Sequence, residues 1–314
     1  MRTVALGFML AGPMLAQPVE MVTLATPAPA SSIVLAKSGS VTAAVCEDQK
    51  LRVWALPQAS IVRTIDLGGR NVYTVGLSAD GAWIALADFS GSHTVWNTST
   101  GARQMQLELP SYPFALVFSP DGQRLAIASA GEAVQIYEVA SGKKLFELQK
   151  AIGGSQNVTF SRDGQRIATA DSDTVVRIYD GRNGELLARY TDFLLEPLTA
   201  SFTANGKQLV TAGGDKIIAV LDASTGRVVR KSGKLADPVA YLEVSPDGAL
   251  TATGLMRADN LLMPAPLLIS ETRSGRKVLE WLPPSRVLGG GWTSDGHLLA
   301  ATGVEQGVKI WRVH

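Results

Sequence analysis

The sequence predicts an all-β protein: a seven-bladed β-propeller built from four-stranded antiparallel blades. A small polar residue followed by Gly recurs seven times along 314 residues, and successive glycines lie 42, 41, 42, 42, 42 and 48 residues apart. No window shows a sustained 3.6-residue apolar period with capping residues, so helices are expected to be nearly absent. Although this length suggests about two domains, the period favours one closed ring. The repeated glycines are Gly39, Gly81, Gly122, Gly164, Gly206, Gly248 and Gly296.

Composition excludes several classes of protein. With 46% apolar and 18% charged residues, the chain is too apolar for a disordered protein. Twenty-nine basic and 28 acidic residues leave a formal charge of +1, so nucleic acid is not an expected partner. A single cysteine, Cys46, excludes an intrachain disulfide and a cysteine-rich zinc site. His93, His297 and His314 are far apart in sequence, so neither a metal centre nor another cofactor is expected.

Residues 1–16 have the layout of a secretory signal peptide. Arg2 precedes an uncharged run from Val4 to Ala16 that is too short to span a bilayer. We therefore expect export to the periplasm or the medium, with a cytoplasmic protein and a mis-assigned start as the alternative. No later segment approaches the roughly 18 apolar residues of a membrane span, so no transmembrane helix is expected.

The next segment is predicted to close the ring. The last repeat ends at His314 with the equivalent of its third strand, so its fourth strand must come from elsewhere. Residues 18–25 have the pattern of other fourth strands, such as residues 144–148. We predict that residues 17–26 complete blade 7, within a single propeller spanning residues 17–314. Such closure pairs an edge strand that would otherwise be exposed.

Each repeat carries the chemistry of strands and tight turns. An apolar residue stands four positions before each repeated glycine, and Ala or Val stands four positions after it. The Asp-Gly pair supplies the positive φ of a hairpin, and short β-branched segments flank it. Small Ala residues are expected where neighbouring sheets crowd together. The blades are predicted to start near residues 31, 72, 113, 155, 197, 238 and 287.

Two segments resemble the repeat consensus of the WD-repeat family. They are residues 118–126, Phe-Ser-Pro-Asp-Gly-Gln-Arg-Leu-Ala, and residues 308–311, Val-Lys-Ile-Trp. The resemblance extends over residues 31–314, but the family's Gly-His dipeptide is missing from its usual place; Gly296-His297 falls in a turn. The resemblance therefore implies a divergent, bacterial branch. Its blades would lack the family's buried His–Ser/Thr–Asp–Trp network and would be held mainly by apolar packing.

The sequence offers no convincing catalytic or metal-binding constellation, so the protein is not expected to be an enzyme. His297 follows a turn, where other blades carry mostly polar residues, and is interpreted as a solvated turn residue. The run Gly289–Gly291 lacks the helix and Lys of a phosphate loop, which favours close backbone approach near the axis. Acidic residues recur between second and third strands, and we expect each to close its own turn. These residues are Asp48, Asp173, Asp215 and Glu305.

Blade 6 departs from the repeat in its second-to-third connection. Gly275 follows Gly248 by 27 residues where other blades need 20, which places seven extra residues between Leu255 and Pro266. Apolar side chains with nearby charge predict an interaction loop; the alternative is an inert loop that folds back onto the blade. Connections on the same face, called the top face in the family, supply further candidates. The predicted contact residues are Arg70, Tyr112, Phe193, Met256, Arg257, Asp259, Leu262 and Arg286.

The sequence therefore predicts a non-catalytic, monomeric scaffold that binds a protein or peptide on its top-face loops. The alternative is a small-ligand-binding or hydrolytic propeller, resembling lactonases, with its site at the mouth of the central channel. A module of a signalling complex is a third possibility. Convergent carboxylates, His or a metal at one end of the axis would favour an enzyme, whereas an apolar patch on the rim would favour a scaffold.

Overall fold

The computed structural model describes residues 17–109, 111–257, 263–304 and 307–314. In these ranges the chain forms 28 β-strands and no α-helix, and so contains no helix long and apolar enough to cross a membrane. The predicted signal peptide, the contact candidates Asp259 and Leu262, and the turn candidate Glu305 lie outside the described residues.

The strands form seven sheets of four, named here blades 1 to 7 in chain order. Strand β1 (Val19–Ala25) precedes blade 1. Blades 1 to 4 consist of β2 (Ala30–Leu35), β3 (Val41–Cys46), β4 (Lys50–Ala55), β5 (Ser60–Asp66), β6 (Val72–Leu77), β7 (Trp83–Asp88), β8 (Ser92–Asn97), β9 (Arg103–Glu108), β10 (Pro113–Phe118), β11 (Arg124–Ser129), β12 (Gln135–Glu138), β13 (Lys144–Glu147), β14 (Ser155–Phe160), β15 (Arg166–Asp171), β16 (Val176–Asp180) and β17 (Leu186–Tyr190). Blades 5 to 7 consist of β18 (Pro197–Phe202), β19 (Gln208–Gly213), β20 (Ile218–Asp222), β21 (Val228–Lys231), β22 (Val239–Val244), β23 (Leu250–Leu255), β24 (Leu267–Glu271), β25 (Lys277–Trp281), β26 (Val287–Trp292), β27 (Leu298–Val304) and β28 (Gly307–Arg312).

The seven sheets form a closed ring. Within each blade the strands pair antiparallel in chain order, and the first strands of neighbouring blades contact each other around the axis. The contact between β22 and β26, the first strands of blades 6 and 7, is the sparsest of these. The predicted seven-bladed propeller is confirmed.

The N-terminal strand completes blade 7, as predicted. Strand β1 pairs antiparallel with β28, from Val19 opposite Arg312 to Ala25 opposite Gly307. Leu24 is fully buried and packs in the core cluster shared by blades 7 and 1. The ring is therefore closed by strand pairing and by apolar burial together.

The seven repeated glycines all lie in the same kind of turn, which connects the first and second strands of each blade. All seven have positive φ, between 66° and 90°. In blade 3 the Asp121 carboxylate accepts hydrogen bonds from Ser119 Oγ and from the Gln123 amide, and Ser119 Oγ accepts one from the Arg124 amide. Blades 2, 4 and 6 repeat this pattern. The repeat is therefore a turn whose hydroxyl, carboxylate and glycine each have a structural role.

Blade 4 contains a buried polar network that the sequence did not predict. The Asp171 carboxylate accepts hydrogen bonds from Ser155 Oγ at 2.5 Å, Thr169 Oγ1 at 2.9 Å and Arg177 Nη1 at 2.6 Å. Arg177 also makes an ion pair with Asp173 at 2.7 Å. Apolar side chains pack blade 4 against both of its neighbours, as expected, and the buried polar network is an addition that was not predicted. A serine hydroxyl bonds the buried aspartate, and an arginine supplies the compensating charge.

Candidate functional site

Exposed apolar side chains are distributed unequally over the ring. Antiparallel blades place the fourth-to-first and second-to-third connections on one face, the top face, and the other connections on the bottom face. Among the described residues, eight of the 16 exposed large apolar side chains lie on outer fourth strands. The other eight lie at the top face and none lies in a bottom-face connection. The top-face residues are Tyr73, Phe89, Tyr112, Ile152, Leu194, Leu195, Met263 and Leu282.

Three of these side chains form an exposed aromatic cluster where blades 2 and 3 meet, defined here as Tyr73, Phe89 and Tyr112. The ring centroids of Tyr73 and Phe89 are 4.6 Å apart, and those of Phe89 and Tyr112 are 6.0 Å apart. The three residues are 49%, 54% and 59% exposed, respectively. An aromatic group this open to solvent on an ordered scaffold is typical of a binding surface.

Local hydrogen bonds hold the aromatic cluster in place. Phe89 follows Asp88, whose carboxylate accepts hydrogen bonds from the amides of Ser90 and Ser92 at 2.9 and 3.1 Å. The Tyr112 carbonyl accepts a hydrogen bond from the Ala130 amide at 2.8 Å. Phe89 and Tyr112 therefore project from backbone held by hydrogen bonds, and Tyr73 projects from β6, which reduces the entropy lost when a partner binds.

A polar groove adjoins the aromatic cluster between blades 1 and 2. Its volume is about 240 Å³, and its lining includes Asp66, Arg70, Asp88 and Trp96. Arg70 is half-buried there, with Nη1 3.5 Å from Ser92 Oγ. The groove therefore has acidic and basic residues in its lining, beside the aromatic cluster.

Phe193 is not part of this surface. It is 5% exposed, packs edge-on against Tyr190 with 5.2 Å between ring centroids, and belongs to the core cluster shared by blades 4 and 5. The prediction that Phe193 contacts a partner is wrong because its ring fills the core. Its neighbours Leu194 and Leu195 carry the exposed apolar surface of this connection instead.

Sequence reasoning missed Tyr73 and Phe89, although the repeat contained a signal for Phe89. The positions equivalent to Phe89 hold Glu47, Ala130, Ser172, Gly214, Met256 and Val304. An aromatic residue is therefore exceptional at this position of the repeat. Tyr73 lies within a first strand, where an aromatic residue is compatible with core packing. Only the structure shows that its ring faces solvent.

A second cavity lies between blades 6 and 7, and it brings together three of the predicted contact residues. Met256, Arg257 and Arg286 line a space of about 360 Å³. The candidates Arg70 and Tyr112 do not line it, because they belong to the connections before and after blade 2. The remaining walls are mostly apolar and come from β22, β23, β26, β27, the start of β24, and Met263, Ala265 and Pro266 of the connection that precedes it.

The glycine run of β26 accounts for part of this cavity. Gly290 stands where other blades place Ile33, Val75, Leu116, Val158, Ala200 and Leu242. At Gly289, an added Cβ would lie 2.1 Å from the Ile33 carbonyl oxygen of blade 1, which confirms close backbone approach. At Gly291, the Glu243 carboxylate lies 3.1 Å from where a Cβ would be and accepts a hydrogen bond from the Trp292 amide. Because Gly290 has no side chain, blade 7 fills less of the space on the side that faces blade 6.

Glu243 orients Tyr241, a residue that lines this cavity. Its Oε2 accepts a hydrogen bond from the Tyr241 hydroxyl at 2.8 Å, and its Oε1 lies 3.2 Å from Lys37 Nζ of blade 1. Burial, reinforced by the charge of Glu243, raises the pKa of Tyr241 well above its ordinary value. Tyr241 is therefore a neutral, oriented part of the lining at physiological pH.

The recurrent acidic residues have structural partners. Asp173 and Asp215 accept hydrogen bonds from the backbone amides two residues later, at 3.3 and 3.1 Å, as predicted for turn closure. Asp48 instead makes a two-nitrogen ion pair with Arg52, and Asp173 adds a similar pair with Arg177. Across the described ranges, no three His, Cys, Asp or Glu side chains are grouped so that they could hold a metal ion.

Acidification is expected to destabilise the protein through His93. This residue is buried in β8; Nδ1 lies 2.9 Å from the Gly91 carbonyl oxygen, and Nε2 has no hydrogen-bond partner in the structure. Burial lowers the pKa of His93 below its ordinary value of 6.5. The unfolded chain therefore takes up a proton below about pH 6.5 while the folded chain does not, so stability falls as the pH drops from there towards the folded-state pKa.

This expectation is checked by the melting temperatures of the wild type and a His93→Leu variant at pH 7.5 and pH 5. The wild type should lose more stability on acidification than the variant, because only the wild type carries this buried imidazole. Equal losses in both proteins would contradict the assignment.

Comparisons with known proteins agree with this architecture. The family model described as "WD domain, G-beta repeat" matches residues 152–180, which lie in blade 4. The WD repeat-containing protein SL1-17 of Schistosoma mansoni is 23% identical over 116 residues, a match that spans 37% of this chain and 38% of that protein. These matches confirm the predicted resemblance to WD-repeat proteins.

A solved structure extends the likeness in fold to almost the whole chain. The crystal structure of the Myceliophteria thermophila Cps50 (Swd1) β-propeller domain superposes with a TM-score of 0.77 at 15% sequence identity. The match covers 95% of this chain and 100% of that one. At this identity the comparison concerns the fold alone.

Proposed function

We propose that the protein is an interaction scaffold that binds a protein partner on its top face, with the aromatic cluster as the principal contact. The observation that carries this proposal is the asymmetry of the ring: the top face exposes large apolar side chains, and the bottom-face connections expose none among the described residues. An exposed apolar patch is a feature that favours a scaffold over a hydrolytic propeller.

The geometry suggests how a partner would be recognised. Tyr73, Phe89 and Tyr112 offer an apolar platform for an anchoring side chain, and the neighbouring groove offers the half-buried Arg70 for a polar or acidic one. Ile152, Leu194 and Leu195 extend the apolar contact along the top face to the connections before blades 4 and 5. Aromatic and arginine side chains are the residue types enriched at interface hot spots.

Substituting the aromatic cluster is expected to weaken partner binding at least tenfold while leaving the fold intact. In a Tyr73→Ala/Tyr112→Ala variant, two exposed rings are lost, so the core should be little affected. The matched control is Leu186→Ala/Leu187→Ala, which removes two exposed apolar side chains from an outer strand.

The measurement is affinity capture with each purified protein, followed by calorimetry with the captured partner. A partner retained by the wild type and by the outer-strand control, but lost by the aromatic variant, supports the proposal. A partner bound equally by all three proteins, with unchanged melting temperatures, would exclude the aromatic cluster as the docking site.

A further inference from the structure

The cavity between blades 6 and 7 has features that a flat docking surface does not require. We propose that it binds a small molecule with an apolar chain that ends in a carboxylate, such as a medium-chain fatty acid. This site is separate from the aromatic cluster and does not depend on the function proposed above. Three observations select the ligand class: the size of the space, the apolar character of its walls, and the sign of the charge in its lining.

The size and walls fit the apolar part of such a ligand. A volume of about 360 Å³ lies within the range of small-molecule sites, roughly 300 to 1,000 Å³. Leu255, Met256, Met263 and Leu288 contribute to the lining, together with the phenol of Tyr241. Methionine side chains are flexible and adapt to chains of different shape, so two of them suit an unbranched hydrocarbon.

The charge in the lining selects an anion. The lining includes two arginines, Arg257 and Arg286, and no Asp or Glu among the described residues. Arg257 has an interaction of its own, so the proposal depends on Arg286. Arg286 is exposed, directly precedes β26, and forms no ion pair with another described residue. A guanidinium at the edge of an apolar space binds a carboxylate through paired hydrogen bonds.

The cavity is a specific departure from the repeat. Gly290 replaces the aliphatic residue of six other blades, Gly254 contributes no side chain from β23, and β22 and β26 touch sparsely. An unfilled apolar cavity lowers stability, whereas a ligand that fills it stabilises the folded state by mass action. The same substitution that weakens packing between blades 6 and 7 therefore creates room for a ligand.

The test is isothermal titration calorimetry of the full chain with decanoate. Decanol and decylamine, which share the chain but lack the negative charge, separate the electrostatic from the apolar contribution. An acetylated peptide that ends in Leu with a free carboxylate tests whether the site binds the C-terminus of a peptide instead. Two variants probe the site: Arg286→Met removes the cation, and Ala240→Phe replaces an exposed residue of the lining by a larger one that should occupy part of the space.

We expect saturable binding of decanoate with a negative heat-capacity change, about tenfold weaker for Arg286→Met and for decanol. Decylamine should bind more weakly than decanol, and the Tyr73→Ala/Tyr112→Ala variant should bind decanoate like the wild type. Arg286 is exposed, so its substitution should leave the melting temperature unchanged. Arg286→Met therefore still tests the proposal if Ala240→Phe does not fold. Absence of decanoate binding, binding unaffected by Arg286→Met, or preference for the peptide would overturn the proposal.

Discussion

Replacing Leu24 by Ala is expected to destabilise the ring by about 3 kcal/mol, which for a chain of this length corresponds to a fall of about 5 °C in melting temperature. Leu24 belongs to β1, is fully buried, and packs with Ile33, Trp54 and Val308 across the junction of blades 7 and 1. Its truncation removes apolar contact and leaves a cavity at the point where the ring is closed. Deletion of residues 17–26 should have a larger effect, because it also removes the strand paired with β28.

The control for Leu24→Ala is Val19→Ala, which lies in the same strand but is 62% exposed. Thermal unfolding followed by circular dichroism measures the wild type and the three variants. The expected order of melting temperatures is the wild type and Val19→Ala together, then Leu24→Ala, then the deletion. A deletion variant that melts with the wild type would show that β1 does not contribute to closure.

Replacing Asp171 by Ala is expected to cost about 3 to 5 kcal/mol. The carboxylate is 1% exposed and accepts hydrogen bonds from Ser155, Thr169 and Arg177. Its loss leaves two hydroxyl groups without their acceptor and leaves the 11% exposed Arg177 with Asp173 alone. The unpaired polar groups, rather than the lost volume, dominate the effect.

A second substitution separates this explanation from a simple packing defect. Removing the arginine as well, in Asp171→Ala/Arg177→Met, should recover part of the lost stability, because it eliminates the guanidinium that has lost its buried acceptor while the 15% exposed Asp173 keeps access to water. The control is Asp180→Ala in the same blade, whose ion pair with the exposed Arg182 should contribute less than about 1 kcal/mol. Urea unfolding measures these differences. A double variant less stable than Asp171→Ala would contradict the proposed role of the guanidinium that has lost one of its two carboxylates.

The polar network of blade 4 shows where a comparison with a consensus misleads. The absence of a histidine at the family's usual position favoured blades held mainly by apolar packing, yet in blade 4 the Ser155 hydroxyl bonds the buried Asp171 carboxylate. Arg177 lies six residues after Asp171 and four after Asp173, and its guanidinium binds both carboxylates. That arrangement depends on side-chain length and direction across a strand connection, which a motif search does not evaluate.

The predicted contact residues also differ in whether the structure places them at the surface or in the core. Tyr112, Arg70 and Arg286 stay predicted contact residues; they were chosen because aromatic and arginine residues are typical of interfaces, and the structure places all three in top-face connections. Phe193 was wrong because a connection between blades also contributes to the core between them. Its burial depends on the approach of Tyr190 and of the sheet in blade 5.

The sequence by itself determined the seven blades, their turns and the closing strand. Each follows from the repeat pattern: a glycine in a tight turn, alternation of side chains along a strand, and a last repeat that ends after its third strand. The tertiary structure decided which side chains of different blades share a surface. Tyr73, Phe89 and Tyr112 come from a strand and two connections, and their rings meet because blades 2 and 3 are adjacent. The cavity at Gly290 likewise depends on how closely two sheets approach, a distance set by the packing of all seven blades around one axis.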